Sequence, residues 1–175
     1  MPYVSCNNIN IYYERMGVGA PVIFLHSGFS RGILAFASQI LDFQRQYTCY
    51  FPDFRGHGRT RSGSLEWSTP QHADDIIAFM DHLHIDKAHL IGYGMGGGVS
   101  LHCAVNQPVR VATLTSIGQC GFVAAQGSEE FEPESLLQHK NYAFIDSMKE
   151  RHFDAHQGNW QQFLRQKLQD WRTYP

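Results

Sequence analysis

The chain contains 175 residues, 43% of them hydrophobic and 17% charged, which is ordinary for one folded domain with a buried core. Its formal net charge is -2 and it has no long basic run, so nucleic acid is not an expected partner. It has no apolar stretch near the roughly 20 residues of a membrane helix and no signal-peptide pattern at its start. Four scattered cysteines lack the spacing of a metal site or redox pair. We expect a cytoplasmic protein without membrane contact, metal or cofactor.

The first part of the chain predicts a hairpin followed by alternating strands and helices. Two short strand patterns flank Asn7-Asn8, which suits a tight turn. An apolar run predicts a strand buried on both faces, an aromatic-rich run predicts another, and an apolar stripe between them predicts one amphipathic helix. The hairpin strands span residues 3–6 and 9–13, the next two strands 21–25 and 47–51, and the helix 32–46.

The middle of the chain continues this alternation. Thr69-Pro70 predicts the start of a helix, because proline is favoured in a first helical turn. Residues 88–93 and 111–117 predict two more strands, separated by a glycine-rich turn and a helix over residues 95–105. This alternation predicts an α/β fold with a doubly wound, mostly parallel sheet and helices on both faces.

The pattern changes at Gln119, after which no further strand is predicted. One helical stripe of apolar residues consists of Trp160, Phe163, Leu164, Leu168 and Trp171. We interpret residues 119–175 as a helical lid or cap. The alternative is that these helices simply pack on the sheet.

Three motifs lie at the C-terminal ends of predicted strands, where open parallel sheets bind ligands. The first, residues 25–29, is Leu-His-Ser-Gly-Phe, whose small residues allow backbone N–H groups to stabilise an oxyanion. The second, residues 53–60, contains His57. That histidine is either a base or a residue that locks its loop, and we favour the structural role.

The third motif, residues 92–98, is Gly-Tyr-Gly-Met-Gly-Gly-Gly at a predicted turn from strand to helix. This is the setting of the nucleophile elbow G-x-S-x-G. The central elbow residue is strained, at a cost of about 1–3 kcal/mol for a non-glycine residue. Here that residue is Gly94, which relieves the strain but has no Oγ to attack a carbonyl.

The order and spacing of these motifs resemble the α/β-hydrolase fold family over most of residues 1–118. The resemblance implies that residues 1–118 form the N-terminal part of the hydrolase core, without its C-terminal strands, and that residues 119–175 form the cap segment. It also implies site residues: oxyanion-hole N–H groups at Gly28, Phe29 and Met95, and a pocket lined by His26, Tyr93, Gln119 and Trp160.

The chain departs from the family pattern at the reacting groups. Family members place Ser, Asp or Cys at the position of Gly94. Their acid and histidine follow later strands, and the sequence stops at Pro175 before these, which predicts a truncated form. Residues 118–121, directly after the strand at 111–117 where some relatives carry the acid, contain no carboxylate.

Other candidate reacting groups are weak. His139, His152 and His156 are expected on the surface of mobile helices, where a base is rarely held in position. Cys103 is expected to be buried, and Cys120 is a minor candidate for the pocket.

Three functions stay open. The favoured one is a serine-hydrolase or esterase ancestry, with a small-molecule ester or amide as substrate and a chain that is catalytically incompetent because of Gly94 and the missing acid and base. The second is a pseudoenzyme that binds a small molecule or a partner without chemistry. The third is a different reaction in the same pocket. An exposed edge at residues 111–117 also predicts self-association or a complementing fragment.

Overall fold

The computed structural model describes residues 3–118 and 127–173. Its strands are β1 (Tyr3–Cys6), β2 (Ile9–Met16), β3 (Ala20–Leu25), β4 (Tyr47–Pro52), β5 (Arg61–Ser62), β6 (Ala88–Tyr93) and β7 (Val111–Ile117). They form a sheet in the order β1-β2-β4-β3-β6-β7, and β5 pairs with β2. The β4/β3, β3/β6 and β6/β7 pairs are parallel, whereas β2 pairs antiparallel with β1, β4 and β5. The predicted α/β sheet is confirmed.

The helices are α1 (Gly32–Ala35), α2 (Ile40–Phe43), α3 (Thr69–His82), α4 (Met95–Asn106), α5 (Pro133–Gln138), α6 (Tyr142–Arg151), α7 (Phe153–His156) and α8 (Trp160–Thr173), with 3-10 turns at Pro108–Arg110 and Ser128–Phe131. Alternate residues of β3 point to opposite faces of the sheet. Ile23 packs in the core formed with α3 and α4, and Phe24 packs in the core formed with α1 and α2. Helices on both faces are therefore confirmed.

Local sequence signals explain where several elements begin. Asn7 and Asn8 have φ angles of 47° and 59°, the positive values that a tight hairpin turn requires. The Ser68 side chain accepts a hydrogen bond from the N–H of Gln71 and caps α3, with Pro70 in its first turn. The predicted hairpin and the predicted start of this helix are confirmed.

The single helix predicted over residues 32–46 is wrong. The segment forms two helices of 4 residues each, α1 and α2. Phe36 leaves the helical conformation, with φ -129° and ψ 20°, and its buried ring lies 5.1 Å from that of Phe24. The N–H of Gly32 also donates to Oδ1 of Asp53 at 2.7 Å, which fixes the start of α1 to the loop after β4. These tertiary contacts override the helical periodicity.

The helices that follow residue 127 build a second, smaller core over the loops of the sheet. Its buried members are Trp67, Leu136, Ile145, Met148, Phe163 and Leu164. Trp67 comes from the loop before α3, so this core joins the helical segment to the sheet domain. Its role as a lid stays a prediction. Across the two described ranges, no helix combines the length and hydrophobicity needed to cross a bilayer.

Candidate functional site

The turn between β6 and α4 is a sharp bend at Gly94. This residue has φ 54° and ψ -117°, which is a strained conformation for any residue with a side chain. Its N–H donates to the carbonyl oxygen of Ile117 at 2.8 Å. Its own carbonyl oxygen accepts from the N–H groups of Gly97 and Gly98, at 2.8 and 3.3 Å. These bonds fix the backbone of the bend.

The glycines of the bend have different roles. A Cβ at Gly92 would collide with the backbone of Gly96, and a Cβ at Gly96 would collide with the backbone of Leu25. These two glycines therefore permit close packing of strand and helix. A Cβ at Gly94 would lie 3.4 Å from Cβ of Ser27, an ordinary contact. At Gly94 the backbone angle, and not the space, favours glycine.

The loop after β3 is held against this bend by His26. The carbonyl oxygen of His26 accepts from the N–H of Gly96 at 3.1 Å. Its Nε2 accepts from the N–H of Phe54 at 3.0 Å, and its Nδ1 lies 2.8 Å from the carbonyl oxygen of Ser27. Burial lowers the pKa of His26 to about 3, so the ring is neutral. His26 therefore positions two loops through fixed contacts.

The loop after β4 is locked by His57. This ring is fully buried, with Nδ1 2.9 Å from the carbonyl oxygen of Arg55 and Nε2 3.1 Å from that of Gly28. Burial lowers the pKa of His57 well below its ordinary value. The structural role favoured for His57 is confirmed.

The expectation that His152 and His156 lie on the surface is wrong. Their side chains are 0% and 3% exposed. The Nδ1 of His152 accepts from the N–H of Gly58 at 2.9 Å, and its ring stacks on Phe163 with centroids 4.5 Å apart. Burial lowers the pKa of His152 well below its ordinary value. His139 is exposed, as expected.

A cavity of about 360 Å³ opens beside the bend at Gly94. Its walls are formed by the bend, the loop after β3 and α8. They include five of the residues predicted for the site: Gly28, Phe29, Tyr93, Gly94 and Met95. Two separate parts of the sequence therefore meet at one cavity.

Three other residues predicted for the pocket are placed elsewhere or not described. His26 lies behind the cavity wall, in the contacts given above. Trp160 packs against the helical core, with the ammonium of Lys149 5.3 Å from its ring centroid. Gln119 lies outside the described residues.

Sequence reasoning missed two charged residues of α8 that line the cavity, Lys167 and Asp170. Lys167 is only 6% exposed, its Nζ lies 3.1 Å from Sδ of Met95, and burial lowers its pKa to about 8. The Asp170 carboxylate accepts from the N–H of Thr69 at 2.8 Å and from the Thr69 hydroxyl at 2.9 Å. The signal for Lys167 was its spacing, because it shares a helical face with Phe163 and Trp171.

The described cysteines do not contribute a nucleophile to this cavity. Cys103 is buried in α4, and burial raises its pKa to about 12, so the predicted packing role is confirmed. Cys120 lies outside the described residues. Within residues 3–118 and 127–173, no group of three His, Cys, Asp or Glu side chains is placed to hold a metal ion.

Comparison with known families agrees with this architecture. Residues 20–172 match the family model described as alpha/beta hydrolase fold. The chain belongs to the α/β-hydrolase fold family. Its sheet order, its bend at Gly94 and the adjacent cavity can therefore be considered as parts of a hydrolase fold.

The relatives of this α/β-hydrolase-fold chain include acyltransferases and hydrolases. It is 28% identical over 143 residues to the dihydrolipoyllysine-residue acetyltransferase component of an acetoin cleaving system from Cupriavidus necator, covering 75% of this chain and 38% of that protein. It is 28% identical over 127 residues to a putative carbamate hydrolase, RutD, from Azorhizobium caulinodans, covering 73% of this chain and 47% of that protein. The chain thus spans less than half the length of these two relatives.

A solved structure with a small-molecule ligand shares the fold. It is a serine-to-glycine mutant of the N-acyl homoserine lactonase AidH, complexed with N-hexanoyl homoserine lactone. The match has a TM-score of 0.69 and 17% identity, and covers 95% of this chain and 69% of that chain. At this identity the likeness shows a common fold.

Proposed function

We propose that this α/β-hydrolase-fold chain binds a small acyl compound, an ester or amide, in the cavity at Gly94. The observation that carries the proposal is the bend itself, with φ 54° and ψ -117° beside a cavity of about 360 Å³. The backbone has the conformation of a nucleophile elbow, but the side chain is a hydrogen atom. We therefore propose that residue 94 does not attack the bound compound.

Backbone N–H groups near the bend would hold the acyl oxygen. Met95 is the first residue of α4, so its N–H has no acceptor within the helix and lies at the positive end of the helix dipole. Gly28 and Phe29 line the same cavity from the loop after β3. This juxtaposition supports an oxyanion hole formed by the N–H groups of Gly28, Phe29 and Met95.

Lys167 lies in the cavity but is mostly an ammonium at pH 7, because its pKa is about 8, and no other described residue is placed as a general base at position 94. His26 and His57 are buried and held by the loop contacts given above. The Asp170 carboxylate is bound to Thr69. A base must reach within hydrogen-bond distance of the proton that it removes. This supports the proposal that the chain is catalytically incompetent as given, a pseudoenzyme of acyl-hydrolase ancestry.

The names of related proteins are consistent with an acyl ligand. One relative is called an acetyltransferase component and another a putative carbamate hydrolase. The AidH mutant, in which a glycine replaces a serine, holds an acylated lactone. We transfer from these names only the chemical class, a compound with an ester- or amide-type carbonyl.

A cysteine at the bend tests this proposal. In the Gly94→Cys variant, the thiolate would attack the carbonyl of p-nitrophenyl acetate, a thioester would form and p-nitrophenolate would leave. The oxyanion donors should make this acylation at least tenfold faster than at an exposed thiol, since one such donor contributes on the order of 10² in rate. Mass spectrometry of the peptide with residue 94 measures the thioester.

Gly158→Cys is the matched control, because Gly158 also has positive φ but no neighbour within 4 Å. Equal acylation rates at the two positions would overturn the proposed oxyanion hole. The unmodified chain should release p-nitrophenolate no faster than buffer, and sustained turnover would overturn the proposed incompetence.

The edge of the sheet favours a second, partner-binding function. In the described residues β7 pairs only with β6, and Ile117 is exposed. An unpaired edge offers N–H and C=O groups to another strand. We propose that a second copy or a complementing fragment covers it, and a monomer mass in light scattering at high concentration would contradict this. The free, buried Cys6, Cys49 and Cys103 support the proposed cytoplasmic location.

A further inference from the structure

Lys167 brings a positive charge to the part of the cavity where the acyl oxygen would bind. A Cβ added at Gly28 would collide with Cε and Nζ of Lys167, so the end of this side chain lies directly over Gly28. Its Nζ also lies 3.1 Å from Sδ of Met95. The ammonium therefore lies between two residues of the proposed oxyanion hole.

Within the described residues no carboxylate oxygen lies at ion-pair distance from the Lys167 ammonium, although the charge of Asp170 acts on it from further away and raises its pKa. Asp170 is three positions further along α8, but its carboxylate oxygens accept from the N–H and hydroxyl of Thr69. None of the ion pairs within residues 3–118 and 127–173 includes Lys167. A thioether is a weak acceptor for an ammonium. A buried cation without a direct anionic hydrogen-bond partner is costly, so a bound anion that reaches Nζ of Lys167 would be stabilising here.

The neighbouring histidines do not compensate this charge. His26, His57 and His72 are buried, and their pKa values are lowered by burial, so all three rings are neutral at pH 7. Burial also lowers the pKa of Lys167, to about 8, which leaves the ammonium form predominant at pH 7. Lys167 and Asp170 are thus the charged groups among the described residues that line the cavity, and the ammonium is available to pair directly with an anionic ligand.

We propose that Lys167, with the backbone N–H groups of Gly28 and Met95, forms a carboxylate-binding site, and that the ligand of this cavity is a small monocarboxylic acid with an apolar tail. This inference rests on the proposed acyl-binding function and extends its ligand from an ester or amide to the free acid that carries the same acyl group. A carboxylate can accept directly from the single ammonium, whereas a phosphate dianion would bring two negative charges beside the buried Asp170 carboxylate. Phe29, Tyr93 and Trp171 provide aromatic walls for the tail.

The test compares hexanoate with hexanamide, which differ mainly in charge, by isothermal titration calorimetry at pH 7. The unmodified chain should bind hexanoate at least about tenfold more tightly, as expected for one charge-assisted hydrogen bond. Lys167→Met keeps the shape and removes the charge, and should weaken hexanoate binding at least about tenfold more than it weakens hexanamide binding. Lys167→Arg should retain most of the preference for hexanoate.

Lys87→Met is the matched control, because Lys87 is an exposed lysine outside the cavity lining. It removes the same charge and should leave both affinities unchanged. Equal loss of hexanoate binding in the two variants would show a long-range charge effect and would overturn the inference. Equal affinity of the unmodified chain for hexanoate and hexanamide would overturn it as well.

A measurement without substitution covers the case in which Lys167→Met fails to fold. Hexanoate, but not hexanamide, should slow acetylation of the Lys167 amine by acetic anhydride, measured by peptide mass spectrometry, and unchanged labelling would overturn the inference. The two proposals fail separately. Binding of hexanamide without preference for hexanoate overturns the carboxylate site alone, whereas binding of neither compound overturns both.

Discussion

The N–H of Gly58 donates to Nδ1 of His152 at 2.9 Å, which joins the loop after β4 to the C-terminal end of α6. A ring nitrogen that accepts a hydrogen bond must be unprotonated. His152 is therefore neutral in the folded chain, in agreement with the lowering of its pKa by burial. Nε2 of His26 likewise accepts from a backbone N–H, and burial also lowers the pKa of His57 and His72. The His57 ring contacts those of His26, His72 and His152, so the four histidines form one buried cluster.

The first prediction is that the chain loses stability in mild acid. Each of these four histidines has a folded pKa below its unfolded value, so the unfolded state binds more protons and stability falls as pH drops below about 6.5. Lowering the pH from 7 to 5 should reduce the free energy of unfolding by about 2 kcal/mol for each of these histidines. Asp53 acts in the opposite direction, because burial raises its pKa to about 6. Over the same pH range, protonation of Asp53 restores about 1 kcal/mol of the free energy of unfolding. The loss caused by the histidines is therefore larger.

Urea unfolding between pH 5 and pH 8 measures this dependence. His152→Gln should reduce the slope of the unfolding free energy against pH, because one proton-binding difference is removed. His139→Gln, at an exposed position, is the control. A free energy of unfolding that is the same at pH 5 and pH 8 would contradict the prediction.

The second prediction separates the two roles of glycine at the bend. Gly94→Ala should fold, but its free energy of unfolding should be about 1–3 kcal/mol lower, because a φ of 54° is strained for alanine while the space for Cβ is free. Gly96→Ala should lose more, since its Cβ would collide with the backbone of Leu25, which cannot move independently. Chemical denaturation of the two variants provides the comparison. A smaller loss at residue 96 than at residue 94 would refute this assignment.

The third prediction is that hexanoate binding weakens as Lys167 loses its proton. Because the pKa of Lys167 is about 8 in the free chain, affinity should be about tenfold lower at pH 9 than at pH 7. Other titratable groups face this region: Asp170 on the same helix, Tyr93, and the histidines His26, His57 and His72. The three histidines have lowered pKa values and stay neutral over this range. Calorimetry that shows the same affinity at both pH values would refute the prediction.

Much of the fold follows from local sequence patterns. The apolar run at residues 21–25 indicates a strand that is covered on both faces of the sheet. Asn7 and Asn8 tolerate the positive φ of a tight turn. The positive φ of Gly94 is an angle that glycine adopts most easily, and Gly92 and Gly96 leave room for close packing of strand and helix. In each case the physical requirement acts within a few residues, so the sequence alone can indicate it.

The errors arise where distant segments decide the outcome. The helical stripe of residues 32–46 was overridden by the contact of Phe36 with Phe24 and by the bond from Gly32 to Asp53. The burial of His152 depends on Gly58, far away in the sequence. Lys167 reaches the cavity only because α8 packs across the bend. Local periodicity does not indicate histidine burial, and for Lys167 it indicates the shared helical face but not the cavity which that face lines.

The backbone angle at residue 94 has an evolutionary consequence. A nucleophilic side chain there would meet no steric obstacle, because a new Cβ would have an ordinary contact with Ser27. The obstacle is thermodynamic, since the new side chain would have to tolerate the left-handed conformation. Enzymes commonly accept such a loss of stability in exchange for activity. A glycine at this position thus favours stability over chemistry, and a side chain there would lower the free energy of unfolding by about 1–3 kcal/mol.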